Sequence, residues 1–232
     1  MAGRKIKTTK QDIIRCGTKL FLEKGYSATS PKHIVDAMDI GTGNLTYYFP
    51  TKEHLLAVLA DMLCDFQWKM MEKEADEGHS SIMAICLELA SMASICDEDP
   101  VARDFYTAVY ASPRCLDIIR RNDKVRAKEV FGEYCQNWTD EQFAAAEAMV
   151  SGIEYSTLMT AGDPVTLEVR IACALNAILQ IYQIPPEIRK QKILRVLAMD
   201  YQTIARRILM EFKRFVERTN EQALEDLYKQ AM

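Results

Sequence analysis

Side chains able to make or break bonds are sparse in this sequence, and none is arranged for that work. The three histidines, His33, His54 and His79, sit in unrelated settings. The seven cysteines, at 16, 64, 86, 96, 115, 135 and 173, include no CxxC pair, and no HxxxH occurs. Metal-ligand spacing is therefore missing, and an odd number of scattered thiols argues against a disulfide framework. A phosphate loop and a paired-carboxylate motif are absent too, so an enzyme has nothing to start from. What remains is recognition chemistry, concentrated in G-T-G-N-L-T-Y-Y-F-P-T-K, residues 41–52. Hydroxyls, a carboxamide, two phenols and an ammonium in one short stretch can grip an anionic surface without reacting with it. The adjacent Tyr47 and Tyr48 cannot both face a core if the segment is helical, because neighbours on a helix point about 100° apart.

Local signals define the elements that hold these residues. A first helix is expected from about Thr9 to Lys24, with Ile13, Ile14, Gly17, Leu20 and Phe21 at helical spacing and Gly25 placed for a C-cap. Ser30-Pro31 reads as an N-cap followed by proline at the first helical position, opening a second helix that ends near Asp39–Gly41. A third, very short helix spans roughly Thr42 to Tyr48 and is stopped by Phe49-Pro50. Thr51 then caps a fourth, long helix with an apolar pattern of Leu55, Leu56, Leu59, Met62, Leu63, Phe66 and Met70. Further helices are expected at about 79–96, 100–110, 114–136, 140–161, 165–183, 187–217 and 220–230. No alternating strand pattern occurs, so the fold class is all-α.

Two short helices joined by a tight turn behind a capping helix form a helix-turn-helix, whose second helix enters the DNA major groove amino end first. Leu45 and Phe49, four apart, then face inward toward Phe21 and Ile34, and Thr42, Asn44, Tyr47 and Tyr48 turn outward. Charge agrees with this. The chain has 232 residues and a net charge of −4, yet residues 1–52 carry nine basic against four acidic side chains, a net +5 that leaves −9 for the rest. A basic head on an acidic body points to a local anionic partner. Arg4, Lys5, Lys7 and Lys10 precede or open the first helix and read either as a solvated terminus or as an arm reaching a groove.

Residues 9–56 resemble the DNA-binding head of the TetR family of one-component bacterial transcription regulators. The run I-I-R-C-G-T-K-L-F-L-E-K-G-Y-S-A-T-S-P-K-H-I-V and its continuation I-G-T-G-N-L-T-Y-Y-F-P-T-K-E-H-L-L carry the resemblance. It implies phosphate contacts from Thr29, Ser30, Tyr47, Tyr48 and Lys52, and base contacts from Thr42, Gly43, Asn44 and Thr46. Three positions depart from the family pattern. Asp39 stands where glycine is usual, Gly41 replaces a common serine cap, and Thr46 stands where tyrosine is common. The resemblance further implies a larger helical domain for effector binding and dimerisation, so that residues 1–52 form the DNA-binding domain and 53–232 the rest.

In that second part, 140–161 and 165–183 are the expected homodimer helices, small residues such as Ala144, Ala145, Ala148, Ser151 and Gly152 permitting close approach. Met62, Phe66, Met70, Tyr106, Tyr110, Tyr155 and Met159 are the candidate lining of an effector pocket, and their types favour an apolar or aromatic small molecule. No cofactor and no metal is expected. No run approaches the ~20 apolar residues of a membrane span, and the expected location is the cytoplasm. The expected function is repression of transcription at a palindromic operator on double-stranded DNA, relieved by the small molecule. An activator of the same fold, or a helical interaction protein that binds no DNA, is the alternative.

Overall fold

In the computed structural model, residues 9–78, 81–160 and 164–219 are described, and they form helices without strands. The first four are α1 (Lys10–Lys24), α2 (Pro31–Met38), α3 (Thr42–Tyr48) and α4 (Lys52–Ala75). Then follow α5 (Ile82–Glu98), α6 (Pro100–Ala111), α7 (Pro113–Phe131), α8 (Asp140–Met159), α9 (Leu167–Ile181), α10 (Pro186–Leu197) and α11 (Tyr201–Arg218). Side-chain caps set the starts. Thr9 with Asp12 and Ser30 with His33 form reciprocal capping boxes on α1 and α2, and the Thr51 hydroxyl accepts from the His54 N–H at the start of α4. Asp99, Ser112 and Thr139 do the same for α6, α7 and α8.

One expected element divides. The apolar pattern over 187–217 reads as a single helix, but the chain breaks between Leu197 and Tyr201 into α10 and α11. The Asp200 carboxylate accepts from the Thr203 N–H and restarts the helix as an N-cap. The expected helix at 220–230, the basic residues Arg4, Lys5 and Lys7, and His79 lie outside the described residues.

α5 forms the centre of the body. Most of its residues are buried on every side, from Ile82 to Cys96, and α4, α6, α8, α9, α10 and α11 all pack on it. The head, α1 to α3 with the start of α4, has its own core of Ile13, Ile14, Phe21, Ile34, Leu45 and Phe49, each under 5% exposed. Leu45 and Phe49 therefore face inward as the spacing requires.

Polar ties fasten this head to the body. The Gln11 amide and the Arg15 guanidinium donate to the Thr219 carbonyl at the end of α11, the latter at 2.9 Å. Lys213 donates to the Leu22 carbonyl at 3.0 Å. After α1 the chain turns at Gly25 with φ +94, where a Cβ would come within 2.8 Å of the Asp104 carboxylate on α6. Glycine alone permits both the turn and that approach, and Asp104 in turn accepts from the Ser27 backbone and hydroxyl.

Candidate DNA-binding face and effector cavity

α3 presents nearly all its polar side chains to solvent. Thr42, Gly43, Asn44, Thr46 and Tyr47 are exposed, and Tyr47 is 81% exposed. Tyr48 is half-buried, its ring meeting that of Tyr47 edge to face at 4.9 Å. Pairing the two rings fixes both phenols at the same end of the helix. A Cβ built at Gly41 or Gly43 would meet nothing within 4 Å, so the backbone itself is open to a partner there. The Thr46 hydroxyl folds back to donate to the Thr42 carbonyl at 3.1 Å. Asp39 adopts the left-handed conformation, φ 50 and ψ 47, which makes the turn between α2 and α3 at a position where aspartate is tolerated. Gly41 caps α3 with no side-chain hydrogen bond, leaving its first N–H groups open.

Two expected contact residues are placed differently. Thr29 is 1% exposed, and its hydroxyl donates to the Gly25 carbonyl at 2.8 Å and the Leu20 carbonyl at 3.3 Å. It ties the α1–α2 loop together from inside, and no part of its side chain is at the surface; Ser30, half-exposed, is the neighbour that is. Lys52 is half-buried. Its ammonium donates to the Tyr26 carbonyl at 2.8 Å and the Thr29 carbonyl at 2.9 Å, and lies 3.8 Å from the Tyr26 ring centroid. Burial holds its pKa below the ordinary lysine value.

A cavity of about 60 Å³ lies in the body between α4, α5, α6, α7 and α8. Ala60, Leu63, Cys64 and Gln67 give it one wall from α4. Tyr106 and Tyr110 give another from α6; the Tyr106 hydroxyl donates to Gln67 Oε1 at 3.2 Å, and the Tyr110 hydroxyl to Glu154 Oε2 at 3.0 Å. At the far end the Phe131 and Tyr182 rings stack at 4.2 Å, and the Tyr182 hydroxyl donates to Glu147.

Residues 13–59 match the family model of bacterial regulatory proteins, tetR family. The head belongs to the tetR family. Beyond the head, the chain shares the fold of RolR in complex with resorcinol at a TM-score of 0.62, with 17% identity over 80% of this chain and 93% of that one. RolR without ligand aligns at 0.53, with 18% identity over 75% and 96% of the two chains. SmeT, the repressor of the Stenotrophomonas maltophilia multidrug efflux pump SmeDEF, aligns at 0.51, with 15% identity over 75% and 90%. No curated protein matches the sequence. The chain thus has the tetR-family architecture, a helix-turn-helix head on a larger helical body.

Of the pocket residues expected in this helical body, Tyr106 and Tyr110 line the cavity, whereas Met62, Phe66, Met70, Tyr155 and Met159 do not border it. The reason is rotation about the helix axis. Leu63, Gln67 and Glu154 line the cavity, while Met62, Phe66 and Tyr155 each differ by one position and so point about 100° away. Phe66 instead packs on Phe212 and Phe215 of α11, with ring centroids 5.6 and 5.1 Å away. Met159 is 43% exposed and accepts from the Thr107 hydroxyl at 3.1 Å.

The cavity is also more acidic than expected. Glu88, Asp123, Glu147 and Glu154 all line it, against Arg126 as the basic side chain among its described lining residues. Burial drives each of these carboxyls upward: Glu88 to about 7, Glu147 to about 8, Glu154 well above the usual carboxylate range, and Asp123 in the same direction. Arg126 lies partly across from them, donating to Asp123 at 3.1 Å and to the Cys64 carbonyl at 2.7 Å, with the Trp68 ring 5.2 Å away. The sequence carried one signal for this. Glu147 and Glu154 are seven apart, on the same stripe of α8 as the buried Phe143 and Val150.

Proposed function

We propose that the chain is a transcriptional repressor that binds double-stranded DNA as a homodimer and releases it when a small molecule fills the body cavity. One observation carries the reading: α4 is common to both sites. It begins in the head, where Lys52 holds the α1–α2 loop, and continues along the cavity through Ala60, Leu63, Cys64 and Gln67. A ligand that displaces this wall moves the base of the head with it. The α6 wall acts in the same sense, since Asp104 grips Ser27 while Tyr106 and Tyr110, on the same helix, reach the cavity.

On this reading α3 lies in the major groove. Thr42, Gly43, Asn44 and Thr46 approach bases, and Ser30, Tyr47 and Tyr48 hold phosphates on either side. Lys52 contributes positive charge near the backbone path while bracing the loop. Residues 1–52 serve as the reading head and 53–232 as the sensing and dimerising body, α4 crossing between them. Two heads spaced by about 34 Å would read the halves of a palindromic operator.

The exposed face of α8 and α9 supports the homodimer. Ala144, Ala145, Ala148, Met149 and Gly152 on α8, with Val169 and Cys173 on α9, are all exposed in the single chain. A band of small and apolar residues on neighbouring helices suits close packing against a second copy. An aromatic effector is supported by the two tyrosines and the Phe131–Tyr182 stack, and by the resorcinol held in RolR.

Selection of bound sequences from random duplexes defines the operator, and fluorescence anisotropy on it tests the reading. Affinity should fall steeply with salt. An effector that favours the released state by ~3 kcal/mol should weaken operator binding ~150-fold. Binding indifferent to salt would remove the DNA reader. A ligand that binds and stabilises the protein with operator affinity unchanged would remove the switch.

A further inference from the structure

The cavity holds more acid than its own basic group can neutralise. Arg126 is already matched, with Asp123 at 3.1 Å on one side and Asp65 at 3.6 Å on the other. Of the remaining carboxyls, two face phenols, and Glu88 feels the Arg126 charge only through space, without a direct contact. Glu147 accepts from Tyr182 and Glu154 from Tyr110, both neutral hydroxyls. Glu88 has neither a hydrogen bond nor an ion pair among the described residues. It is half-buried on α5, and it lines the cavity. At a protein surface such a cluster would lose its repulsion to water. Inside, a polar group without a partner is destabilising, and an isolated charge more so. A side chain as exposed to this penalty as Glu88 is explained if something else supplies its partner.

We propose that the cavity takes an organic cation, an ammonium carried on an aromatic or apolar body, with its charged head met by Glu88 and the acids of α8. This rests on the reading of the cavity as the effector site and names the chemical class of the effector. The cavity has the two poles such a molecule needs. Glu88, Glu147 and Glu154 form the acidic pole. Val109, Phe131 and Val150 offer apolar surface beside it, where the body of the ligand loses water contact. A neutral aromatic would satisfy the second pole and leave the first unpartnered. An anion would add repulsion to a wall that already has too many carboxyls.

A thermodynamic consequence follows from the groups around Glu88. Cys64 faces it from α4, Tyr106 and Tyr110 from α6, Asp123 and Arg126 from α7, Glu147 and Glu154 from α8, and Tyr182 from beyond α9. Apart from Arg126, none can bring positive charge. In the empty cavity protons therefore do that service, and an incoming cation takes their place. Binding should release protons near neutral pH. Affinity should rise with pH through that range, because an alkylammonium stays charged to about pH 10.

The test uses the full chain and three probes with one indole body: tryptamine, tryptophol and indole-3-acetate, bearing a positive, neutral and negative tail. Titration calorimetry in two buffers of different ionisation enthalpy should show tryptamine binding at least about tenfold more tightly than tryptophol, the step a charged hydrogen bond supplies. Indole-3-acetate should be weakest, and only tryptamine should release protons. Glu88→Gln should remove the preference for tryptamine and leave tryptophol unchanged. Glu154→Gln, which keeps an acceptor for Tyr110, is the second variant should the first fail to fold. Equal binding of tryptophol and tryptamine, best binding of indole-3-acetate, or no heat and no melting shift with any probe at several millimolar overturns the assignment. Release of operator DNA by tryptophol or indole-3-acetate but not by tryptamine would keep the effector reading and defeat the cation. Binding of tryptamine with operator affinity unchanged would keep the cation and defeat the regulatory reading.

Discussion

The Lys52 ammonium donates to the Tyr26 carbonyl at 2.8 Å while lying 3.8 Å above the centre of the Tyr26 ring. With its second bond, to the Thr29 carbonyl, it makes the first residue of α4 a brace for the loop that sets α1 against α2. Removing it should loosen the angle of the whole head, which every DNA sequence would feel alike. Lys52→Ala is expected to weaken binding to specific and nonspecific duplexes by similar factors. It should also lower stability by about 1 kcal/mol, a typical loss for a hydrogen-bonded group of this kind. Anisotropy titrations on matched and scrambled duplexes, with thermal melts alongside, check both parts. A loss confined to the operator would make Lys52 a base-reading residue instead.

Asn44 is placed for the opposite effect. It is exposed on α3, one turn before Tyr48, and its side chain has no hydrogen-bond partner among the described residues. A carboxamide there can donate and accept at an adenine edge, an arrangement worth about 1–3 kcal/mol of discrimination. Asn44→Ala should relax preference at one base position in each half-site by about 5- to 150-fold and leave nonspecific affinity nearly unchanged. Repeating the random-duplex selection with the variant would show this directly. An unchanged selected sequence would assign Asn44 to phosphate rather than base.

The head was legible in the sequence because its determinants are local. Ser30-Pro31, Asp39, Phe49-Pro50 and Thr51 each fix a cap, a left-handed turn or a stop within a few residues, and α2 and α3 begin and end where those signals put them. The cavity was legible only through Tyr106 and Tyr110, because a lining residue is chosen by how helices rotate against each other. Met62 and Leu63 are equally apolar, and only packing turns Leu63 to the cavity. The same limit applies to Thr29. Its position in the sequence suits a surface hydroxyl, but the approach of the loop to the end of α1 turns it inward to the Leu20 and Gly25 carbonyls. The break at Asp200 is hidden in the sequence for a different reason. Apolar residues continue on both sides of it, so the cap had to be read against the periodicity.

Glu147 should make stability depend on pH. It is 3% exposed, and burial first, with Asp123 nearby second, raises its carboxyl from the ordinary 4.5 to about 8. The folded state thus holds this proton more tightly than the unfolded chain does. Its contribution is fully present below the unfolded value and is lost as pH rises through about 8. The melting temperature of the wild type should fall between pH 6 and pH 9. Glu147→Gln cannot ionise and can still accept from the Tyr182 hydroxyl, so its curve should be flatter and should lie above the wild type at pH 9. Thermal melts across that range decide the matter; parallel curves would place the titrating group elsewhere.

Gly152 tests the proposed dimer without disturbing the single chain. It lies exposed on α8, and a Cβ built there meets nothing within 4 Å, so a larger side chain has room in the isolated chain. Replacing a mid-helix glycine also favours the helix itself, by roughly 0.5–1 kcal/mol. Around it, Met149 is 55% exposed and Val169 on α9 is 51% exposed, apolar area that a second copy would cover. Gly152→Arg would force a long, charged side chain into that contact, where close helix approach requires the smallest residue. The variant is expected to fold with an unchanged or higher melting temperature at high dilution, to sediment as a monomer, and to lose operator affinity by far more than tenfold. That last loss arises because two half-sites bound by one dimer act at high effective concentration, which separate heads cannot match. Sedimentation velocity and anisotropy on the same preparation separate assembly from DNA contact. A Gly152→Arg protein that sediments with the wild type would move the dimer face off α8.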